Sequence, residues 1–196
     1  WHEGAKNLAV VFEPGGACWD HNGCTGGGLG VANLNGIPDD HMLIWGFTYP
    51  MLNRASGSAI SDWNLVFVPY CTGDVHTGNN VITYEDPNGV EDDVVFNHAG
   101  HDNTMAVISW LNLYFPQIDD LFVSGCSAGG AGTQINYYFL RELTNAARGF
   151  ALNDSGPIFP NSVHSSPLHQ KIRSSWNVDP VIDEIPEAAT VKDDFG

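Results

Sequence analysis

The octapeptide VSGCSAGG, residues 123–130, follows the apolar run Leu121-Phe122-Val123 and sets Ser127 between Gly125 and Gly129. The spacing is G-x-S-x-G. At a strand-to-helix junction it forces the serine onto a tight, strained turn and leaves its hydroxyl exposed. With 22 glycines in 196 residues, the pattern arises by accident about 0.15 times in such a chain, so its setting has to carry the inference.

That setting reads as a β-α-β unit. Residues 120–124 are a short apolar run, Ile135, Phe139, Leu140 and Leu143 fall at helical spacing after the serine, and residues 148–153 turn apolar again. The pattern predicts strand 120–124, a turn at Ser127, helix 128–147 and strand 148–153. Residues 7–12 and 63–70 repeat the near-continuous apolar character. Strands of that kind belong to a parallel sheet covered on both faces. Asp102-Asn103-Thr104 predicts the start of a further helix, with Met105, Ile108, Leu111 and Phe115 on one face and Pro116 beyond its end. Residues 20–62 and 72–100 are rich in Gly, Asn, Asp and Pro and read as long excursions at strand ends, where α/β proteins build their sites. The expected fold is α/β, a mostly parallel sheet with helices on both faces, in one domain over residues 1–196.

A serine hydroxyl needs a base to take its proton and donors already aimed at the developing oxyanion. The Ala128 amide, at a helix N-terminus, supplies one donor. Residues 13–17, Glu-Pro-Gly-Gly-Ala, close an earlier strand and suit a second. Pro14 has no N–H, which leaves Gly15 and Gly16 as the candidates. A tight turn without chemistry is the alternative for Ser127, and an ordinary strand-ending turn for Gly15-Gly16.

Seven Lys and Arg against 23 Asp and Glu give a formal net charge of −16. Such a chain repels phosphate backbones and anionic lipid, which argues against a nucleic-acid partner. No apolar span of about eighteen residues or more occurs, so no membrane-spanning helix is expected. The chain opens on Trp1-His2-Glu3-Gly4, without Met or a basic-then-apolar leader, and is read as a mature or truncated piece. Cys18, Cys24, Cys71 and Cys126 allow two disulfides in three connectivities, or four thiols in a reducing compartment. Cys18 and Cys24 stand close enough in sequence to close a small ring. Neither C-x-x-C nor a zinc-type pairing is present, and no metal or cofactor is expected.

Four blocks occur in order: residues 13–19 (EPGGACW), 69–78 (PYCTGDVHTG), 124–130 (SGCSAGG) and 154–156 (DSG). Together they resemble the pectin acetylesterase and Notum-type carboxylesterase family. The resemblance implies an α/β-hydrolase fold, ester hydrolysis through a serine acyl-enzyme, and an exported location, secreted or periplasmic. It implies Ser127 as nucleophile, Gly15, Gly16 and Ala128 as oxyanion donors, and a disulfide between Cys18 and Cys24. The chain departs from the family pattern at Pro14, where members usually carry Gly, and at Ala17, near which they carry an aromatic residue. Asp74 and His76, in the CTGDVHTG loop, are expected to line the pocket, with loop-stabilising hydrogen bonds as the alternative for Asp74.

In α/β-hydrolases the acid and the histidine follow the serine in the chain. About seventy residues remain after Ser127, and the resemblance implies that the acid and base lie beyond Gly196, the chain being a fragment. Asp154, at the tip of the strand after the nucleophile helix, is the internal candidate for the acid; a side-chain turn to backbone N–H groups is the favoured alternative for it. His164 and His169 follow the serine but stand in a Ser/Pro-rich segment. His98 and His101 are expected to help cap the helix near Asp102 rather than to hold a metal. The leading expectation is a serine carboxylesterase acting on O-acyl, foremost O-acetyl, esters of a polysaccharide or of a small molecule. Another acyl hydrolase of lipase or peptidase type on the same fold, or a binding module that kept the scaffold, are the alternatives.

Overall fold

The computed structural model describes residues 2–28, 30–49, 52, 57–156, 166–186 and 188. Its centre is a four-stranded parallel sheet in the order β2-β1-β5-β6, formed by β1 (Leu8–Phe12), β2 (Asn64–Val68), β5 (Ile118–Cys126) and β6 (Ala146–Asp154). The four apolar runs of the sequence are these four strands. In β1 all five side chains are buried, which is why the strand shows no polar alternation.

The two faces of β1 carry two cores. Leu8, Val10 and Phe12 point into the larger one, with Leu121 and Val123 of β5. Onto them pack Ile108, Leu111 and Phe115 of the α3 region, Ile135, Phe139 and Leu140 of α4, and Trp176, Val181 and Ile182 further on. Helix α3 is Gly100–Tyr114, α4 is Ala128–Leu143, α5 is Ser166–Trp176 and α6 is Val178–Asp183. Val11, on the opposite face, packs with Tyr49, Leu52, Trp45 and Phe67, under the short helix α2 (His41–Thr48) that follows α1 (His21–Cys24). Each of the larger buried side chains contributes about 1.5–3 kcal/mol of hydrophobic stabilisation. On β6 the same face leaves Phe150 and Leu152 about half exposed. Among the described residues no strand pairs with the outer edge of β6, and no helix is long and apolar enough to cross a membrane.

Expected boundaries move: β5 spans Ile118–Cys126 rather than 120–124. Helix α4 ends at Leu143 rather than 147, and β6 begins at Ala146 rather than 148. Thr144 turns extended at φ −110°, ψ 161°, and Ala146 pairs with Ile118 in the sheet; the ladder hydrogen bonds override the helical propensity of Ala146-Ala147. Residues 72–100, read as an excursion, contain an antiparallel hairpin, β3 (Asn80–Tyr84) and β4 (Val94–His98). The Cys18–Cys24 disulfide is formed and seats on this hairpin, in a small cluster with Tyr84, Phe96 and Val94. Cys71 and Cys126 are free thiols.

Candidate active site

Ser127 occupies the junction of β5 and α4 at φ 52°, ψ −119°. A non-glycine residue at positive φ costs about 1–3 kcal/mol and persists only where its surroundings hold it. Here the Ser127 N–H donates to the Asp154 carbonyl at 2.9 Å, and the Ser127 carbonyl accepts from Ala131 N–H at 3.0 Å. The side chain is exposed. Both glycines of the motif are steric necessities: a Cβ on Gly125 would collide with the Gly129 backbone, and one on Gly129 would lie 2.8 Å from the Phe12 carbonyl carbon and 3.0 Å from the Glu13 oxygen. The helix N-terminus therefore closes directly onto the end of β1.

That contact brings the glycine loop beside the serine. Phe12 of β1 is in register with Gly125 of β5, so residues 13–16 leave the sheet next to the turn that carries Ser127. Gly16 has φ 72°, a conformation that glycine adopts without penalty. The Gly15 carbonyl accepts from Ala32 N–H at 2.9 Å and the Gly16 carbonyl from the Tyr70 hydroxyl at 3.0 Å. Among the described residues no acceptor is paired with the Gly15 or Gly16 amide.

Asp74 and His76, expected at the pocket wall, are 0% and 2% exposed. They lie beneath the site and brace it. The Asp74 carboxylate accepts from Thr72 Oγ1 at 2.5 Å, Gly100 N–H at 2.7 Å, Gly78 N–H at 3.0 Å and His76 N–H at 3.1 Å. Burial pushes its pKa up to about 6 while these donors pull it back. His76 Nε2–H donates to the Glu13 carbonyl at 2.9 Å, and burial lowers its pKa to about 4, so the ring is neutral. Its own carbonyl accepts from Asn136 Nδ2 of α4 at 2.7 Å.

Asp74 also corrects the expected helix start. Helix α3 begins at Gly100, before Asp102, and its N-cap Ala99 offers no side-chain bond. The first-turn amide of Gly100 is satisfied instead by Asp74, 26 residues earlier in the chain. His98 does not cap. Its Nδ1–H donates to the Thr72 carbonyl and its Nε2 accepts from the Tyr84 hydroxyl, both at 2.8 Å, and burial lowers its pKa to about 4. It stands within 4.8 Å of both Cys18 and Cys24 sulfurs, which the disulfide already joins. The His101 ring packs on Phe139 at 4.7 Å.

Asp154 is beside the serine through its backbone. Its carboxylate accepts from Ser155 Oγ at 3.0 Å and faces the Cys126 thiol, whose pKa burial and then the Asp154 charge raise. The side-chain turn expected at Asp154 is made one residue earlier, where Asn153 Oδ1 accepts from Gly156 N–H at 2.7 Å. His169 is buried in α5, and His164 lies outside the described residues.

Sequence reading missed Glu13. Its carboxylate is 1% exposed and accepts from Tyr70 N–H at 2.7 Å, His41 Nε2–H at 2.9 Å and Asn33 Nδ2 at 3.2 Å. A lone acid directly before a Pro-Gly-Gly turn at the end of a fully apolar strand was the available signal.

A family model described as Pectinacetylesterase matches residues 1–192. Two crystal structures of the Wnt deacylase Notum from Drosophila superpose with a TM-score of 0.61, at 16% and 18% sequence identity. Each covers the whole of this chain, which spans 60% and 58% of theirs. A comparison with curated protein sequences gives no significant match. At this identity the likeness concerns the fold, which is that of an α/β-hydrolase.

Proposed function

Because the chain belongs to the pectinacetylesterase family, we propose that it is the nucleophile-bearing part of a serine carboxylesterase that hydrolyses O-acyl, foremost O-acetyl, esters. The observation that carries this reading is the conformation of Ser127: a strained, exposed serine whose φ of 52° is held by Asp154 and Ala131 at the N-terminus of α4, next to a glycine loop. Strain without a packing purpose is a mark of a working residue.

In the proposed reaction Ser127 Oγ attacks the ester carbonyl and passes its proton to a histidine from outside the described residues. The tetrahedral oxyanion is taken by the amides of Ala128, Gly15 and Gly16, with the α4 dipole favouring the negative charge. Collapse returns the proton to the leaving alkoxide and leaves an acyl-serine. Water, deprotonated by the same histidine, releases the carboxylic acid and the free serine. The acid partner of that histidine likewise comes from outside the described residues, with Asp154 as the internal alternative. An exported location is supported by the Cys18–Cys24 disulfide, since such bonds persist in oxidising compartments. An acylated polysaccharide or small acyl ester is the proposed substrate.

The test is acetate release from p-nitrophenyl acetate and from an O-acetylated polysaccharide by the intact protein and its Ser127→Ala variant. Turnover by the wild type with a fall of at least a thousandfold in the variant supports the reading. Equal turnover by the two removes it.

A further inference from the structure

Amides can stabilise an oxyanion only if their peptide planes are fixed before substrate arrives. Around Gly16 that fixing is shared: the Ala32 N–H holds the Gly15 carbonyl, whose plane carries the Gly16 amide, at 2.9 Å, and a side chain remote in sequence holds the Gly16–Ala17 peptide that follows. The Tyr70 hydroxyl donates to the Gly16 carbonyl at 3.0 Å and itself accepts from Val75 N–H at 2.8 Å. The tyrosine ring lies against the loop: a Cβ on Gly15 would come within 2.6 Å of Tyr70 Cδ1. Tyr70 is in turn tied to Glu13: its N–H donates to Glu13 Oε2 at 2.7 Å, and Asn33 Nδ2 bridges the Tyr70 carbonyl at 2.7 Å and Glu13 Oε1 at 3.2 Å. Burial and then the Asp74 charge push the Tyr70 pKa well above its ordinary value, so the hydroxyl remains a donor throughout the working range.

A buried carboxylate is a poor way to stabilise a fold, because its desolvation offsets much of what its partners return. Glu13 is buried beside one imidazole, that of His41 at 2.9 Å, and its other partners are an amide N–H and an asparagine. Two of these donors lead to the glycine loop: the N–H is that of Tyr70 itself, and Asn33 follows Ala32, whose N–H holds the Gly15 carbonyl. Replacing the group by an apolar one of similar size would leave the loop's peptide planes without a reference.

We propose that Glu13 and Tyr70 are a positioning pair for the oxyanion loop: Glu13 anchors Tyr70 and, through Asn33, the neighbouring Ala32 whose N–H holds the Gly15 carbonyl and so the plane of the Gly16 amide, while the Tyr70 hydroxyl holds the next peptide, Gly16–Ala17, so that the loop is fixed on both sides of the Gly16 amide that faces the acyl oxygen. Neither side chain touches substrate. The inference rests on the esterase reading of Ser127. It adds that the rate depends on a hydroxyl and a carboxylate that take no part in proton transfer.

The experiment compares the intact wild-type protein with Tyr70→Phe and Glu13→Gln, which preserve ring and side-chain volume. Three numbers are read: kcat and KM for p-nitrophenyl acetate, and the inhibition constant of a trifluoromethyl ketone that forms a tetrahedral adduct with the serine. Tyr70→Phe is expected to lower kcat about tenfold with KM within twofold, and to weaken the ketone by the same factor, because a displaced donor is felt only when the oxyanion forms. Unchanged kcat overturns the proposal, as does a parallel change in kcat and KM with ketone affinity intact. If Tyr70→Phe does not fold, Glu13→Gln is read by the same numbers; if neither folds, the pair is a stabilising element and the proposal fails. A wild type that neither turns over the ester nor reacts with the ketone refutes the esterase reading itself, a result distinct from an active wild type matched by active variants.

Discussion

Gly129→Ala probes the contact that joins the turn carrying Ser127, the proposed nucleophile, to the glycine loop. The added Cβ would stand 2.8 Å from the Phe12 carbonyl carbon, closer still to its oxygen, and 3.0 Å from the Glu13 oxygen. Ordinary carbon contacts need about 3.5 Å, so the α4 N-terminus and the end of β1 must separate by about 1 Å. Neither side can yield by a rotamer change, since both are backbone, and Phe12 is fixed in register with Gly125. Overpacking of this kind costs about 1–3 kcal/mol of stability, within what a domain stable by about 5–15 kcal/mol survives. The catalytic effect is disproportionate: a misplacement of about 1 Å between nucleophile and oxyanion donors costs on the order of a hundredfold in turnover. Urea unfolding followed by tryptophan fluorescence, together with kcat for p-nitrophenyl acetate at 25 °C, separates the two. A folded variant with turnover within twofold of wild type refutes the account of how the turn and the loop are aligned.

Asp154→Asn retains the carbonyl that holds Ser127 N–H, and its kcat is expected within tenfold of wild type; a loss of several orders of magnitude with stability intact would make Asp154 the acid of the triad. Replacing Cys18 and Cys24 by serine opens a small ring and is expected to lower unfolding free energy by roughly 2 kcal/mol, read from urea midpoints under non-reducing conditions; an unchanged midpoint refutes it. Acid is expected to destabilise the fold in a defined window. His76 and His98, lowered to about 4 in the folded state against 6.5, contribute stability that is complete above pH 6.5 and is lost as the pH falls toward 4. Asp74, raised to about 6 against 3.8, opposes them, because the folded form holds its proton between those values and stability falls as the pH rises through them. Two histidines outweigh one carboxylate, and between pH 7 and 4.5 these three groups are expected to remove about 3 kcal/mol. His98→Gln should flatten that pH dependence, and a slope identical to wild type would contradict the assignment.

The strands β1, β2, β5 and β6 were legible because parallel strands buried on both faces are apolar throughout. The turn at Ser127 was legible because its two glycines have no substitute. The β3-β4 hairpin was hidden by the Asn, Asp and Gly residues between its strands; its signal was the alternation of exposed Val81 with buried Tyr84, too short to stand out. The start of α3 was misplaced since its cap is Asp74, a residue no local pattern connects to Gly100. Glu13 left only the local signal of a lone acid at the end of an apolar strand; its role was missed because its partner Tyr70 is 57 positions away and the parallel pairing of β1 with β2 brings them together. Local geometry was written in the sequence, whereas the supports beneath the site depend on contacts between distant segments.

The most direct measurement is covalent labelling of the intact protein with a fluorophosphonate, followed by peptide mass mapping. The account predicts one adduct, on Ser127, abolished by Ser127→Ala and by prior unfolding in urea. A folded wild type that stays unlabelled, or an adduct on another residue that persists in Ser127→Ala, would contradict it.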